Sequence, residues 1–131
     1  MKLSTSLEDY LETIFLLSKK SIVRSKNIAK ALCVKQPSVT KALNHLAKRD
    51  LIDYSPYGPI QLTEKGLSLA KKVLEKHLIC KKFFENVLHL EEEEAELHAC
   101  SLEHILSKKA FIRMKTLVDY FENSRPLNFY E

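Results

Sequence analysis

The chain has 131 residues, 45% of them hydrophobic and 29% charged, and a net charge of +4. These proportions are those of a soluble globular protein, and the length supports one domain, or two small ones sharing a core, without disulfide staples. The three scattered cysteines, Cys33, Cys80 and Cys100, exclude a disulfide framework, and no apolar run nears the ~20 residues that cross a bilayer, so a cytoplasmic protein with reduced thiols and no membrane partner is expected.

Two glycines and four prolines in the whole chain predict a mainly α fold. The charge is unevenly spread: residues 1–76 hold 14 Lys/Arg against 7 Asp/Glu, whereas residues 77–131 hold 7 against 10. Between Glu12 and Asp50 there are nine basic residues and no acidic one. Basic faces are often mere solvated surface, but a one-signed window of this length suits a polyanion, most simply nucleic acid.

Leu7, Tyr10, Leu11, Ile14 and Phe15 recur at helical spacing and predict a first helix. Ser6 is its expected N-cap, with Asp9 completing something close to a capping box, and Glu8 and Glu12 suit a first turn. Asp9 and Glu12, three apart, also share a face, so a cap and a ligand pair both fit them. After a polar break, Ser25 is expected to cap a short helix ending at Leu32, and Val34-Lys35-Gln36 to form a turn. Pro37 opens a further helix to Lys48, where its missing N–H costs nothing. Two short helices so joined make a helix-turn-helix. Small Ala29 allows close approach, Ile28, Leu32, Val34 and Val39 are expected to fill the angle, and Ala42, Leu43 and Leu46 to face inward. Such helix pairs are common in proteins that never touch DNA; the acid-free basic window favours the DNA-binding version.

Leu51–Ser55 and Ile60–Thr63 alternate around Pro56-Tyr57-Gly58-Pro59, which predicts a two-stranded hairpin. A hairpin directly after a helix-turn-helix is a wing. Thr63 is expected to cap a long helix reaching Val87, apolar around much of its circumference. The Glu91–Glu94 run suits a helix N-terminus better than a metal site. Ala95, Leu97, Ala99, Leu102, Ile105 and Leu106 continue that helix. Ser107 is expected to cap a last one, Lys108–Phe121, with Ala110, Phe111, Met114, Leu117, Val118 and Phe121 as its apolar face. A loose tail is expected from Asn123.

Six side chains are candidate metal ligands: Asp9, Glu12, His77, Cys100, Glu103 and His104. Taken singly, each is more often an ordinary residue, Cys100 a small buried hydrophobe and His104 a polar tip at a helix end. Cys100-x-x-Glu103-His104 as a unit puts three donors on one helical turn and needs only one or two more. An enzyme is the competing class, because the unit parallels the inverted zinc-peptidase pattern His-x-x-Glu-His. Its first histidine is here a cysteine and no glycine-rich substrate loop accompanies it. Nucleophilic catalysis by Cys100 with His104 lacks an evident oxyanion site. No enzyme is therefore expected; a winged-helix regulator that needs no metal is the other alternative.

The run Ser6-Leu7-Glu8-Asp9-Tyr10-Leu11-Glu12-Thr13-Ile14 resembles the opening of the diphtheria-toxin-repressor family of metal-dependent transcription regulators. So do Asn27-Ile28-Ala29, Pro37-Ser38-Val39-Thr40, Leu62-Thr63-Glu64-Lys65-Gly66 and Ala99-Cys100-Ser101-Leu102-Glu103-His104, in family order and spacing over nearly the whole chain. The resemblance implies a winged-helix DNA-binding domain in residues 1–72 and an all-helical metal-binding and dimerisation domain in residues 73–131, with no SH3-like third domain. That is the short build of the manganese-transport-regulator branch. It further implies a homodimer on a double-stranded DNA operator, no small-molecule substrate, and metal held between the first helix and the dimerisation domain, most often for repression of metal uptake.

Residue by residue, Asp9 and Glu12 match ligand positions of the manganese branch, and His77, Glu103 and His104 match ligands in both branches. Cys100 matches the iron branch, where the manganese branch has a glutamate. Lys81 and Glu96 stand where the iron branch's ancillary site has a glutamate and a histidine. The implied cofactor is Mn(II) or Fe(II), with Zn(II) or Co(II) accepted in vitro, because a thiolate favours softer ions than carboxylates do. On the DNA side, Gln36, Ser38, Thr40 and Lys41, with Pro37 opening the recognition helix, are expected at base edges. Arg24, Lys26, Lys35 and the wing residue Tyr57 are expected at phosphates, which position the protein without specifying sequence.

Overall fold

The computed structural model describes residues 3–55 and 58–124. The chain divides into two compact units, one running to Val73 and the other starting at Leu74.

In the first unit, α1 (Thr5–Ser18) buries Tyr10, Leu11, Ile14 and Phe15, the face that the apolar spacing marks. Its cap is Ser4, whose hydroxyl accepts from Leu7 N–H at 3.2 Å, and not Ser6, which already lies inside the helix. Asp9 is consequently released from the capping box expected of it. α2 (Ser25–Leu32) is capped in reverse: Asn27 Oδ1 accepts the backbone N–H of Arg24 at 2.9 Å, and Ser25 is the first helical residue rather than the cap. α2 ends on Cys33 in the left-handed region (φ 54°), which moves the turn to Cys33–Lys35. α3 (Gln36–Lys48) then starts with Pro37 in its first turn and buries Val39, Ala42, Leu43 and Leu46. Burial of Val39, Leu43 and Leu46 contributes about 1.5–3 kcal/mol each, so this inner face, more than helix propensity, holds α3 in place. Val34 does not fill the angle between the helices; with Cys33 left-handed, it turns outward and is exposed.

The wing pairs β1 (Ile52–Asp53) with β2 (Gln61–Leu62) antiparallel, Ile52 opposite Leu62 and Asp53 opposite Gln61. Val23 joins it from the expected polar break, accepting Ile60 N–H at 2.8 Å and lying buried. α4 (Glu64–Lys82) begins where Thr63 Oγ1 accepts Gly66 N–H at 3.0 Å and donates to Asp50 O at 2.7 Å. At Gly66 a Cβ would fall 1.9 Å from Leu51 O, so only glycine lets the helix start this close to β1.

The second unit contains the rest of α4, a π-helical turn (Phe83–Val87), α5 (Glu92–Leu102) and α6 (Lys108–Glu122). The long helix expected to reach Val87 thus changes its winding at Phe83, and Leu88 N–H returns to Phe83 O at 3.1 Å. Ile79, Val87 and Val118 form the core, with Phe83, Phe111, Met114 and Phe121 packed on it. Ser107 caps α6 as expected, its Oγ accepting Ala110 N–H at 3.0 Å. α5 ends at Leu102 and so stops short of Glu103, His104, Ile105 and Leu106. Leu97, Ile105 and Leu117, placed on apolar faces by periodicity, are exposed, as are Ile112 and Tyr120. No described helix is long and apolar enough to cross a membrane.

Candidate metal centre

Within the second unit, His77 comes from α4, while Glu96 and Cys100 share a stripe of α5 four residues apart. Glu103 follows three residues later as the helix C-cap, still in right-handed backbone geometry (φ −55°, ψ −31°), so it continues that stripe although the helix has ended. One ligand atom each from His77, Cys100 and Glu103 lies within 4.8 Å of the others. Donors at about 2.0–2.3 Å from one ion are separated by up to about 4.5 Å, so the three fit around a single cation with little movement.

The environment sorts these donors. His77 and Glu103 are buried, at 8% and 4% exposure, whereas Cys100 is exposed. Nδ1 of His77 faces Oε2 of Glu103 at 3.2 Å. That oxygen is buried and takes no hydrogen bond among the described residues, although burying a carboxylate oxygen without a counter-charge is costly. A divalent cation is a counter-charge that this donor set would fit. The other carboxylate oxygen, Oε1, lies 3.4 Å from Nε2 of His104. On the far side of the His77 ring, Nε2 is 3.0 Å from Oε1 and 2.6 Å from Oε2 of Glu96.

Cys80 is not a donor of this kind. Its thiol is fully buried, and desolvation, reinforced by the negative charge of Glu103 and opposed by Lys76, pushes its pKa from 9.0 to about 11. Lys81, one turn beyond His77, contacts Glu92 at 3.2 Å and Glu85 at 3.8 Å. The Glu92 hydrogen bond, and then the charges of Glu96, Glu92 and Glu85, raise its pKa against the opposing pull of desolvation. An ammonium therefore sits where the iron branch places a ligand. The remaining candidates, Asp9 and Glu12, stand one turn apart on α1 of the first unit.

The surface expected to read DNA is on α3. Gln36, Pro37, Ser38, Thr40 and Lys41 are all exposed, opposite the buried face of Val39, Ala42, Leu43 and Leu46. Arg24 and Lys35, exposed, precede α2 and α3 as their N-cap residues, and Lys26 is exposed in the first turn of α2. Tyr57 lies outside the described residues.

Residues 2–60 match the model of the iron-dependent repressor N-terminal DNA-binding domain, and residues 63–126 match the iron-dependent repressor metal-binding and dimerisation domain. The chain belongs to the iron-dependent repressor family. Among its relatives, an uncharacterised HTH-type transcriptional regulator of Methanocaldococcus jannaschii is 39% identical over 92% of this chain and 98% of its own length. MntR of Bacillus subtilis, also an HTH-type transcriptional regulator, is 35% identical over 89% of this chain and 82% of its own. Of solved structures, the manganese regulator SloR superposes with a TM-score of 0.77 at 30% identity over 92% of this chain and 55% of its own. Zinc-bound ScaR does so at 0.76 and 30%, over 87% of this chain and 54% of its own. The chain thus spans about half the length of these two solved regulators. The two matches together give the chain a DNA-binding domain followed by a metal-binding and dimerisation domain.

Glu96 does not stand out as a ligand candidate in the sequence, because its role depends on His77, nineteen residues away. Its four-residue spacing from Cys100 and its match to an ancillary-site position of the iron branch are the signals the sequence carries.

Proposed function

We propose that this protein is a repressor of metal-ion uptake that binds its operator as a homodimer when Mn(II) or Fe(II) is bound, with residues 1–72 reading DNA and residues 73–131 binding metal and dimerising. The observation that carries this is the buried Glu103 oxygen facing His77 beside the Cys100 thiol, in a chain whose other unit is a winged helix. Asp9, Glu12 and His104 are the proposed further donors.

When bound, a divalent cation supplies the positive charge that offsets this donor set. The chain's own residues do the rest. His77 and Glu103 hold the site in a dry environment, and Cys100 adds a soft donor that admits Zn(II) or Co(II) in vitro. Gln36, Ser38, Thr40 and Lys41 meet base edges, and Arg24, Lys26, Lys35 and Tyr57 meet phosphates. Binding of metal and of operator then favour each other by linkage, and bound metal adds stability by mass action. Exposed Leu97, Ile105, Ile112, Leu117 and Tyr120 in the second unit supply apolar surface for a second copy. The solved relatives are described as a manganese regulator and as a regulator holding zinc, which supports a divalent cation.

A peptidase role would need Glu103 to activate a water molecule; held between two imidazoles at 3.2 and 3.4 Å and almost fully buried, it is better placed as a ligand. We therefore propose no enzymatic activity, and a cytoplasmic location. The test is selection of duplexes from a random pool in Mn(II) or Fe(II), followed by binding of the winners with and without chelator. Affinity should fall on chelation; affinity unchanged by chelation would reject the metal switch and leave a metal-independent regulator.

A further inference from the structure

The imidazole of His77 has a carboxylate on each of its nitrogens. Glu96 meets Nε2 at 3.0 Å through Oε1 and at 2.6 Å through Oε2, whereas Glu103 meets Nδ1 at 3.2 Å. A carboxylate only accepts hydrogen bonds, and an imidazole can give only one nitrogen to a metal, the other carrying the proton. The two sides differ. The Glu96 contact has hydrogen-bond geometry and its carboxylate is 44% exposed, so water completes its solvation. On the other side, Oε2 of Glu103 is buried and takes no hydrogen bond among the described residues; one oxygen of Glu103, one nitrogen of His77 and the Cys100 thiol lie within 4.8 Å of one another, and the thiol also donates to Oε2 of Glu96 at 3.9 Å. The cation therefore belongs on the Nδ1 side and the proton on the Nε2 side.

We propose that Glu96 is a positioning residue of the metal centre: it accepts Nε2–H of His77, and thereby commits Nδ1 to the metal shared with Glu103 and Cys100. This rests on the metal-binding role proposed above. Holding the outer nitrogen of a ligand histidine fixes its tautomer and ring orientation and raises its basicity, and loss of such a partner commonly costs 10–100-fold in metal affinity. Glu96 is suited to the task by its place on α5. It lies one turn before Cys100 and one turn after Glu92, whose carboxylate holds Lys81 of α4 at 3.2 Å. The Lys81–Glu92 contact thus fixes the approach of the two helices beside the His77–Glu96 contact.

The experiment uses the whole protein and Zn(II) alone, which is diamagnetic. Long-range 1H–15N spectra of the imidazoles should show the His77 Nδ1 metal-bound and its Nε2 protonated. Zinc affinity, measured by chelator competition, should fall 10–100-fold in Glu96→Ala and only a few-fold in Glu96→Gln, whose amide oxygen still accepts from Nε2–H. Both substitutions fall at a half-exposed helical position, and unfolding curves of the two variants check that folding is retained. Zinc on Nε2 of His77, equal losses in the two variants (the pattern of a direct carboxylate ligand), or unchanged affinity in Glu96→Ala would each overturn the proposal while leaving the metal centre in place. Failure of the unmodified protein to bind zinc or any of the other divalent ions would instead reject the metal-binding role itself.

Discussion

Nδ1 of His77 stands 3.2 Å from Oε2 of Glu103, both side chains buried, although the two residues are far apart in sequence and come from different helical segments. Buried this way, the pair would be stabilised by a shared positive charge, such as the divalent cation proposed above. This pair sets the position of the candidate centre, and Cys100 is the proposed donor that would give it its chemical character.

The thiol gives the first prediction. Cys100→Ala should weaken Zn(II) and Co(II) binding by about 10–100-fold and abolish the thiolate charge-transfer band of the Co(II) form. Cys100→Glu should move preference toward Mn(II), because carboxylate oxygen suits the harder ion. Competition titrations with the three metals measure this. Unaltered selectivity in both variants would deny Cys100 a place among the atoms that touch the metal.

DNA binding should separate into two kinds of loss. Lys26→Ala and Lys35→Ala are expected to weaken binding to all sequences alike and to reduce the slope of log affinity against log salt by about 1 for each phosphate no longer neutralised. Thr40→Ala should leave that slope intact and relax preference at one base position, at a cost of about 1–3 kcal/mol. Titrations on selected duplexes across a salt series distinguish the two; an unchanged slope in both lysine variants would place the phosphate-binding residues elsewhere.

At Gly66 a Cβ would meet Leu51 O at 1.9 Å, backbone against backbone, whereas at Gly58 it would meet the hydroxyl of Ser55 at 2.7 Å, which can rotate away. Gly66→Ala should therefore destabilise the first unit by about 1–3 kcal/mol, and Gly58→Ala by clearly less. Urea unfolding of both variants checks the order; equal midpoints would show that α4 does not depend on this close approach.

Cys80 predicts a pH dependence. Its thiol ionises near 9.0 in the unfolded chain but stays protonated to about pH 11 in the folded one, chiefly through burial. Between those values the unfolded state binds fewer protons, so stability is complete below about pH 9 and declines as pH rises toward 11. The decline is on the order of 2–3 kcal/mol, taking roughly 1.4 kcal/mol per pK unit. Unfolding midpoints of the chelator-treated protein should fall over this range more steeply than those of Cys80→Ala; parallel curves would count against it. Thiol reagents at neutral pH should modify exposed Cys33 and Cys100 and spare Cys80.

The sequence by itself determined the helices of the first unit, the wing and the donor types. Val39, Ala42, Leu43 and Leu46 write the buried face of α3 at a 3.6-residue period, and Thr63 with Gly66 marks where α4 begins; both signals act within about one turn of chain. Ser4 and not Ser6 caps α1, and Cys33 ends α2 left-handed, because several nearby residues could play each part and packing chose among them. Val23 was unreadable as a strand residue because its partner, Ile60, lies 37 positions away. The pairing of His77 with Glu96 and Glu103 belongs to the tertiary structure alone. Helical spacing fixes which residues of α5 share a stripe, but only the approach of α4 to α5 decides which imidazole nitrogen meets which carboxylate. That choice separates the metal ligand from the residue that holds it in place.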